Sequence, residues 1–208
     1  MEYEVRFYLN KNRLDQAIEK LDNSNLEKSL RTYEKTSQYN HCDSNYNFYS
    51  KEIDGRFRIR VSKNDETSKC KLSWKRRLSD TTSTNINKEE EKELTIKYEE
   101  YENLLFIVEK VMHFELVESY ERYRTVYENE EIEIAIDEYP FGIALELESK
   151  KESEFESIIE HWVNLLGLDI KKAYRLSWDD KYQELCKEQN IECYKEVSFS
   201  KPMPTIIE

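Results

Sequence analysis

The residues best suited to chemistry in this sequence are like-charged pairs two positions apart. Glu2 and Glu4 open the chain, Glu146 and Glu148 come late, and Arg58 with Arg60 and Arg122 with Arg124 lie between them. On a β-strand, side chains at i and i+2 leave the same face, so each pair forms a patch of one sign. Lys71 with Lys75, and Glu133 with Asp137, extend the same faces. An antiparallel sheet with one solvated side also alternates apolar and polar residues. Such solvated faces mix signs, however, and like charges side by side gain nothing structurally. Here the signs are sorted by strand. Carboxylates facing guanidinium and ammonium groups suit a polyphosphate held with a divalent metal. The acids hold the ion, the ion bridges phosphate oxygens, and Arg or Lys neutralises the remaining charge.

Strands must position these groups, and the alternation supplies them. Tyr3, Val5, Phe7 and Leu9 interleave with Glu2, Glu4 and Arg6, a period of two. Strict alternation returns at Arg56–Val61 and Lys71–Lys75, with a hairpin turn at Asp65–Ser68 and a turn at Ile53-Asp54-Gly55 before them. A polar loop over Leu78–Asn87 precedes a short strand at Glu91–Ile96, and three further strands follow at Glu115–Tyr127, Glu131–Asp137 and Phe141–Glu148. The Tyr-rich stretch Tyr33–Tyr49 alternates weakly and reads as one or two strands.

Helical spacing marks Lys11–Leu30 and Tyr98–Met112. A third helix follows Ser153-x-x-Glu156, which resembles a capping box, and ends at Gly167. A fourth runs from Ser177 to about Gln189. Eight or nine strands and four helices result, in one domain over residues 1–195, with a frayed tail over 196–208. The fold class expected is α+β. Closing the sheet into a barrel would turn its charged faces inward, with helices over the apolar outside. The helix stripes are core faces rather than cofactor sites, and His41, His113 and His161 stand alone. The acidic run Glu89, Glu90, Glu91 and Glu93 reads as solvated, with Glu91 or Glu93 able to reach the interior.

Composition narrows the function further. The 208 residues carry 44 Asp or Glu against 32 Lys or Arg, a net charge of −12. A charged fraction of 37% would suit disorder, but 15 Tyr, 8 Phe and 3 Trp supply enough apolar area for a core. Three glycines exclude a Gly-rich phosphate loop, and the acidic balance argues against nucleic-acid binding. Cys42, Cys70, Cys186 and Cys193 form no C-x-x-C pair, so no zinc site is expected. Any metal must sit on carboxylates, which selects a hard ion such as Mg²⁺ or Mn²⁺. No apolar run is long enough to cross a bilayer. The immediately charged N-terminus does not read as a secretory signal. The expectation is a cytoplasmic monomer or homodimer with reduced thiols and no membrane partner.

The motif order carries a resemblance. Glu2-Tyr3-Glu4-Val5-Arg6 resembles the N-terminal ExExK signature of the CYTH superfamily, the triphosphate tunnel metalloenzymes. That family includes class IV adenylate cyclases, thiamine triphosphatases and inorganic triphosphatases. Phe57-Arg58-Ile59-Arg60 and Leu72-Ser73-Trp74-Lys75 resemble its LRIR and LTWK strands, and Arg122-Tyr123-Arg124 its KxR-type strand. Ile134-Ala135-Ile136-Asp137 and Leu145-Glu146-Leu147-Glu148 resemble its IALD…ELE pair. Leu166-Gly167-Leu168 and Arg175-Leu176-Ser177-Trp178 resemble its LGL…SY ending.

The resemblance implies an eight-stranded antiparallel tunnel with a polar bore. It implies Glu2, Glu4, Asp137, Glu146 and Glu148 as ligands of Mg²⁺ or Mn²⁺. It implies Arg6, Arg58, Arg60, Lys75, Arg122 and Arg124 as triphosphate binders, with Glu2, Glu4 and Arg6 as the catalytic group. Two positions depart from the pattern. Arg6 replaces a lysine, which keeps the charge but changes its geometry. Leu176 stands where a C-terminal lysine is usual, leaving Lys171, Lys172, Arg175 or Lys181 as substitutes. The implied activity is metal-dependent hydrolysis of a linear triphosphate, inorganic or organic. The alternatives are class IV-type formation of cAMP from ATP, and a non-catalytic polyphosphate-binding module.

Overall fold

A computed structural model describes residues 1–49, 53–78 and 85–206. In chain order the elements are β1 (Glu2–Leu9), α1 (Lys11–Asp22), β2 (Glu27–Lys28), β3 (Thr32–His41), β4 (Asp54–Lys63), β5 (Ser68–Arg77) and β6 (Asn87–Lys97). They continue with α2 (Tyr101–Phe106), β7 (Phe114–Glu128), β8 (Ile132–Tyr139), β9 (Gly142–Ser149), α3 (Phe155–Leu166), α4 (Trp178–Gln189) and β10 (Glu196–Val197).

Eight strands pair in the cyclic order β7-β3-β4-β5-β6-β1-β9-β8, and β8 returns to β7, so the sheet closes into an antiparallel barrel. The fold is α+β. The short strands β2 and β10 add to β7 outside the ring, β2 antiparallel and β10 parallel. The β1–β6 seam is brief, from Glu2 opposite Glu89 to Glu4 opposite Asn87.

The alternation dictates an inside-out core. Charged faces turn into the bore, so the apolar faces point outward and must be covered by helices. Tyr3, Val5, Phe7 and Leu9 join Ile132, Ile134, Ile136, Leu145 and Leu147 in a cluster roofed by α1 and α3. Ile159, Trp162, Val163 and Leu166 form the buried stripe of α3, each side chain contributing roughly 1.5–3 kcal/mol. A second cluster packs Tyr120, Tyr139 and Phe141 against Trp178, Tyr182 and Leu185 of α4. A third covers β3, β4 and β5 through Ile59, Cys70, Val108 and Phe114.

Several elements differ from the sequence expectations for local reasons. Helix α1 stops at Asp22 rather than near Leu30, because the polar run Asp22-Asn23-Ser24-Asn25 offers side-chain partners to the helix end. Asp54 and Gly55 belong to β4 instead of forming a turn, and Gly55 lies so close to Trp74 that a Cβ would meet its ring at 2.2 Å. The helix expected over Tyr98–Met112 divides into a 3₁₀ turn, α2 and a π-helical turn at Ile107–Val111. The capping box expected at Ser153 does not form, since α3 is preceded by Glu154 without a side-chain cap. A capping box forms at Ser177 and Asp180 of α4 instead, while Gly167 ends α3 at φ 75°.

The C-terminal segment expected to fray is docked. Ile206 N–H donates to Phe141 O at 3.1 Å, and Met203 and Ile206 pack on the α4 cluster. The loop expected over Leu78–Asn87 lies largely outside the described residues.

Candidate functional site

Inside the barrel lies a cavity of about 260 Å³, lined by eight glutamates and nine arginines or lysines together with Tyr120, Tyr139, Ser177 and Trp178. The period of two along each wall strand explains the lining. Glu2, Glu4 and Arg6 come from β1, Arg56, Arg58 and Arg60 from β4, and Tyr120, Arg122 and Arg124 from β7. Of the residues named as metal ligands or triphosphate binders, all but Asp137 line this cavity.

The carboxylates do not gather in one place. Glu2, Glu4 and Glu148 converge, with one oxygen of each within 4.8 Å of the others. Burial first, then the hydrogen bond to Glu91 and the charge of Glu148, raise the Glu2 carboxyl to about 8 against the pull of Lys75. Burial followed by Glu4, Glu133 and Glu146 raises Glu148 to about 7, again against Lys75. Burial opposes ionisation of Glu4 as well, but Lys75 and Arg6 hold its carboxyl below the ordinary value. Crowded buried carboxylates of this kind favour any added cation. Oxygen donors alone suit Mg²⁺ or Mn²⁺, so the residues fit the implied metal.

Asp137 and Glu146 are placed differently. Asp137 is fully buried in an arginine clasp. Arg124 donates to its two oxygens from Nε and Nη2, both at 2.6 Å, and Arg122 Nη1 donates to Oδ2 at 2.8 Å. Glu146 accepts from Arg124 Nη2 at 2.5 Å and Arg6 Nε at 2.7 Å. Burial opposes its charge, but Arg6, Arg124 and Arg122 hold its carboxyl well below the usual range. Arg122 Nε also donates to Glu34 at 2.7 Å. A chain of ion pairs thus runs Glu34–Arg122–Asp137–Arg124–Glu146–Arg6 through the wall strands β3, β7, β8, β9 and β1.

Lys75 lies among acids. Its Nζ is 2.8 Å from Glu89, 3.0 Å from Glu2, 3.2 Å from Glu4 and 3.8 Å from Glu91. Burial works against its charge, but Glu4, Glu2 and Glu91 together raise its pKa.

The β4 wall is built the other way. Arg58 is buried, its Nε has no hydrogen-bond partner, and it makes no ion pair among the described residues. Burial, with the like charges of Arg56 and Arg60 against the pull of Tyr120 and Glu91, lowers its pKa from the ordinary value. Arg60 Nε donates to Thr36 Oγ1 at 3.2 Å and lies 3.7 Å from Glu34. Arg56 reaches Asp54 at 2.9 Å.

Sequence reasoning did not single out Glu34, Glu89, Arg56 or Arg77. Glu34 sits in the weakly alternating Tyr-rich stretch, where nothing marks a functional position. Glu89 is nearly fully buried between Lys75 and Arg77, so the acidic run is not simply solvated. Because β6 begins at Asn87, Glu89, Glu91 and Glu93 share the inward face while Glu90 and Lys92 face away. That period of two was the available signal. None of Lys171, Lys172, Arg175 and Lys181 lines the cavity, and Lys181 pairs with Glu184 at 3.2 Å. The Leu176 carbonyl instead accepts from Arg6 Nη1 at 3.3 Å.

No family model and no curated protein sequence matches this chain. Solved structures do. A protein of Pyrococcus horikoshii aligns with TM-score 0.64 at 24% identity, covering 88% of this chain and 99% of its own. A candidate adenylyl cyclase from Hippeastrum, described as having a dominant triphosphatase activity, aligns with TM-score 0.59 at 17% identity, covering 94% and 99%. A candidate adenylate cyclase from Vibrio parahaemolyticus aligns with TM-score 0.63 at 12% identity, covering 86% and 95%. The Hippeastrum and Vibrio proteins are CYTH-type tunnel proteins, and this chain shares with all three the fold of a closed eight-stranded antiparallel barrel. Among the described residues, no helix is long and apolar enough to cross a membrane.

Proposed function

We propose that this protein is a metal-dependent triphosphatase that hydrolyses a linear triphosphate, inorganic or carried on a small organic group, inside the tunnel. A single observation carries the reading: one cavity holds a three-carboxylate cluster and, on the β4 wall, a buried guanidinium with no carboxylate partner among the described residues. A buried unpaired charge costs several kcal/mol, and an anionic ligand is what relieves it. The triphosphatase and cyclase descriptions of the structural neighbours agree with such a ligand. Fold alone does not establish an activity, so the site carries the argument.

In this reading Arg56, Arg58 and Arg60 bind the phosphate chain, with Lys71 near the rim. Glu2, Glu4 and Glu148 hold a divalent ion. When bound, such an ion neutralises phosphate oxygens and lowers the pKa of a coordinated water. Lys75, ion-paired with Glu2 and Glu4, orients their carboxylates. Arg6, Arg122 and Arg124, already engaged by Glu146, Asp137 and Glu34, hold the wall in shape and add a fixed positive field. Phosphoryl transfer asks little covalent work of a protein, so positioning and charge neutralisation suffice.

Phosphate release from tripolyphosphate with Mg²⁺ or Mn²⁺ tests the proposal. The expected result is turnover by the wild type and its loss in Glu4→Gln/Glu148→Gln. Absence of release by the wild type, or full release by the double variant, refutes it. Chromatography of the products from ATP separates hydrolysis from cyclisation.

A further inference from the structure

A second cavity, of about 230 Å³, lies beside the tunnel, and Arg56 lines both. Strand register shows how the two meet. Arg60, Thr36 and Tyr120 stand level on β4, β3 and β7, and Arg60 and Tyr120 belong to the tunnel lining. The next level holds Arg58, Gln38 and Glu118. Here Arg58 lines the tunnel, whereas Gln38 and Glu118 line the second cavity. A phosphate chain lying on Arg60 and Arg58 and running past Arg56 therefore carries its substituent into this space.

The chemistry changes at that boundary. The second cavity sets three carboxylates, Glu118, Asp179 and Asp180, against the single guanidinium of Arg56, which is already paired with Asp54 at 2.9 Å. Asp179 and Asp180 are held in place by accepting from the Ser177 hydroxyl at the start of α4. Tyr39, Phe48 and Tyr49 supply an aromatic wall. The Phe48 ring is itself fixed by Phe57 and Phe114, with centroids 5.5 and 5.0 Å away.

Acceptors in this cavity exceed donors. Gln38 is only 9% exposed, and its buried Oε1 has no hydrogen-bond partner among the described residues. A carbonyl oxygen can only accept, and leaving one buried and unpaired costs free energy. Burial, then the charges of Asp179 and Asp180, raise the Glu118 carboxyl to about 7 against Arg58 and Arg56, in keeping with a site short of positive charge. What satisfies Gln38 and relieves the acids is a ligand that donates N–H groups. The volume lies below the roughly 300–1,000 Å³ of sites for drug-sized ligands, so a single small ring system suits it.

We infer that this second cavity is the subsite for the organic end of the substrate, and that it selects a triphosphate carried on a flat ring bearing an amino group. The ring lies among Tyr39, Phe48 and Tyr49, and the amino group donates to Gln38 Oε1 and Glu118. This rests on the triphosphatase reading and narrows it, favouring an organic over an inorganic triphosphate. Gln38, Phe48 and Glu118 lie outside the charged tunnel lining, so they act on the choice of substituent rather than on the phosphates.

Calorimetric titration of the full-length protein in Mg²⁺ with tripolyphosphate, ATP and ITP tests this. ATP presents an amino group where ITP presents a carbonyl oxygen. A site built to accept from an N–H rejects the analogue that lacks it, because its own polar groups stay unpaired. ATP is expected to bind roughly ten- to a hundred-fold more tightly than ITP, the range for hydrogen bonds to charged groups. Gln38→Met and Glu118→Met should each narrow that gap several-fold and leave tripolyphosphate affinity unchanged. If one variant fails to fold, the other and the wild-type comparison carry the test. Tight tripolyphosphate binding by the wild type with equal affinity for ATP and ITP, or a gap that neither variant moves, overturns the inference and leaves the triphosphatase reading intact. Binding of none of the three overturns that reading, and this inference with it.

Discussion

The two halves of the bore carry similar charges but opposite internal accounts of them. From β3 through β7, β8 and β9 to β1, each arginine has a carboxylate partner, and Asp137 and Glu146 each engage two. On β4, Arg58 has no carboxylate partner among the described residues. Glu118, placed across Gln38 from it, is raised to about 7 by burial and the charge of Asp179, against Arg58 and Arg56. The contrast separates two uses of a buried guanidinium. Neutralised inside the protein, it stabilises a wall that would otherwise repel itself. Left without a counter-ion, it reserves its charge for a ligand at some cost to stability.

The largest effect expected on this contrast is in the paired half. Asp137→Ala leaves two buried guanidiniums without their shared partner, and urea unfolding should show a loss of roughly 3–5 kcal/mol. Arg58→Met on β4 should behave oppositely. Stability should be unchanged or higher, while calorimetry should show tripolyphosphate affinity lowered roughly ten- to a hundred-fold. Equal destabilisation by both substitutions would erase the distinction between the halves.

The pH dependence of stability sharpens it further. Burial opposes the charge of Glu34, but Arg122, Arg60 and Arg124 hold its carboxyl far below the ordinary value. A lowered folded pKa contributes stability above the unfolded value of 4.5, and that contribution is lost as the pH falls below it. Glu34→Gln should therefore unfold more easily than the wild type at pH 7, with the gap narrowing by pH 3. Glu118 runs the other way. Its folded value of about 7 lies above 4.5, so its contribution is complete below 4.5 and is lost as the pH rises through 7. Glu118→Gln is expected to be the smallest effect, about 1 kcal/mol more stable than the wild type at pH 8 and level with it at pH 4, read from unfolding at each pH.

Much of this was legible in the residues. The alternation in Glu2–Leu9, Arg56–Val61 and Phe141–Glu148 follows from the pleat, a local property that no distant contact is needed to create. The same period named the inward side chains Glu2, Glu4, Arg58, Arg60, Arg122 and Arg124. Where local pattern was weak, reading failed. Glu34 is buried in a stretch with no clear alternation. The C-terminal segment held by Phe141 O and the α4 cluster looked like a frayed end, because its partners lie more than sixty residues earlier in the chain or on another element.

The residue order alone thus set the strands, the faces and the sign of charge on each face, since side-chain direction along a strand depends only on position. Which arginine meets which carboxylate was decided by closure of the barrel. Ion pairing depends on strand register and on a neighbour up to 140 positions away, as Arg6 and Glu146 show. The sequence placed Asp137 and Arg58 together as parts of one charged lining. Only the pairing of β8 with β7 buried the first between two guanidiniums, and only the run of Arg56, Arg58 and Arg60 beside Gln38 and Thr36 left the second without a counter-ion among the described residues.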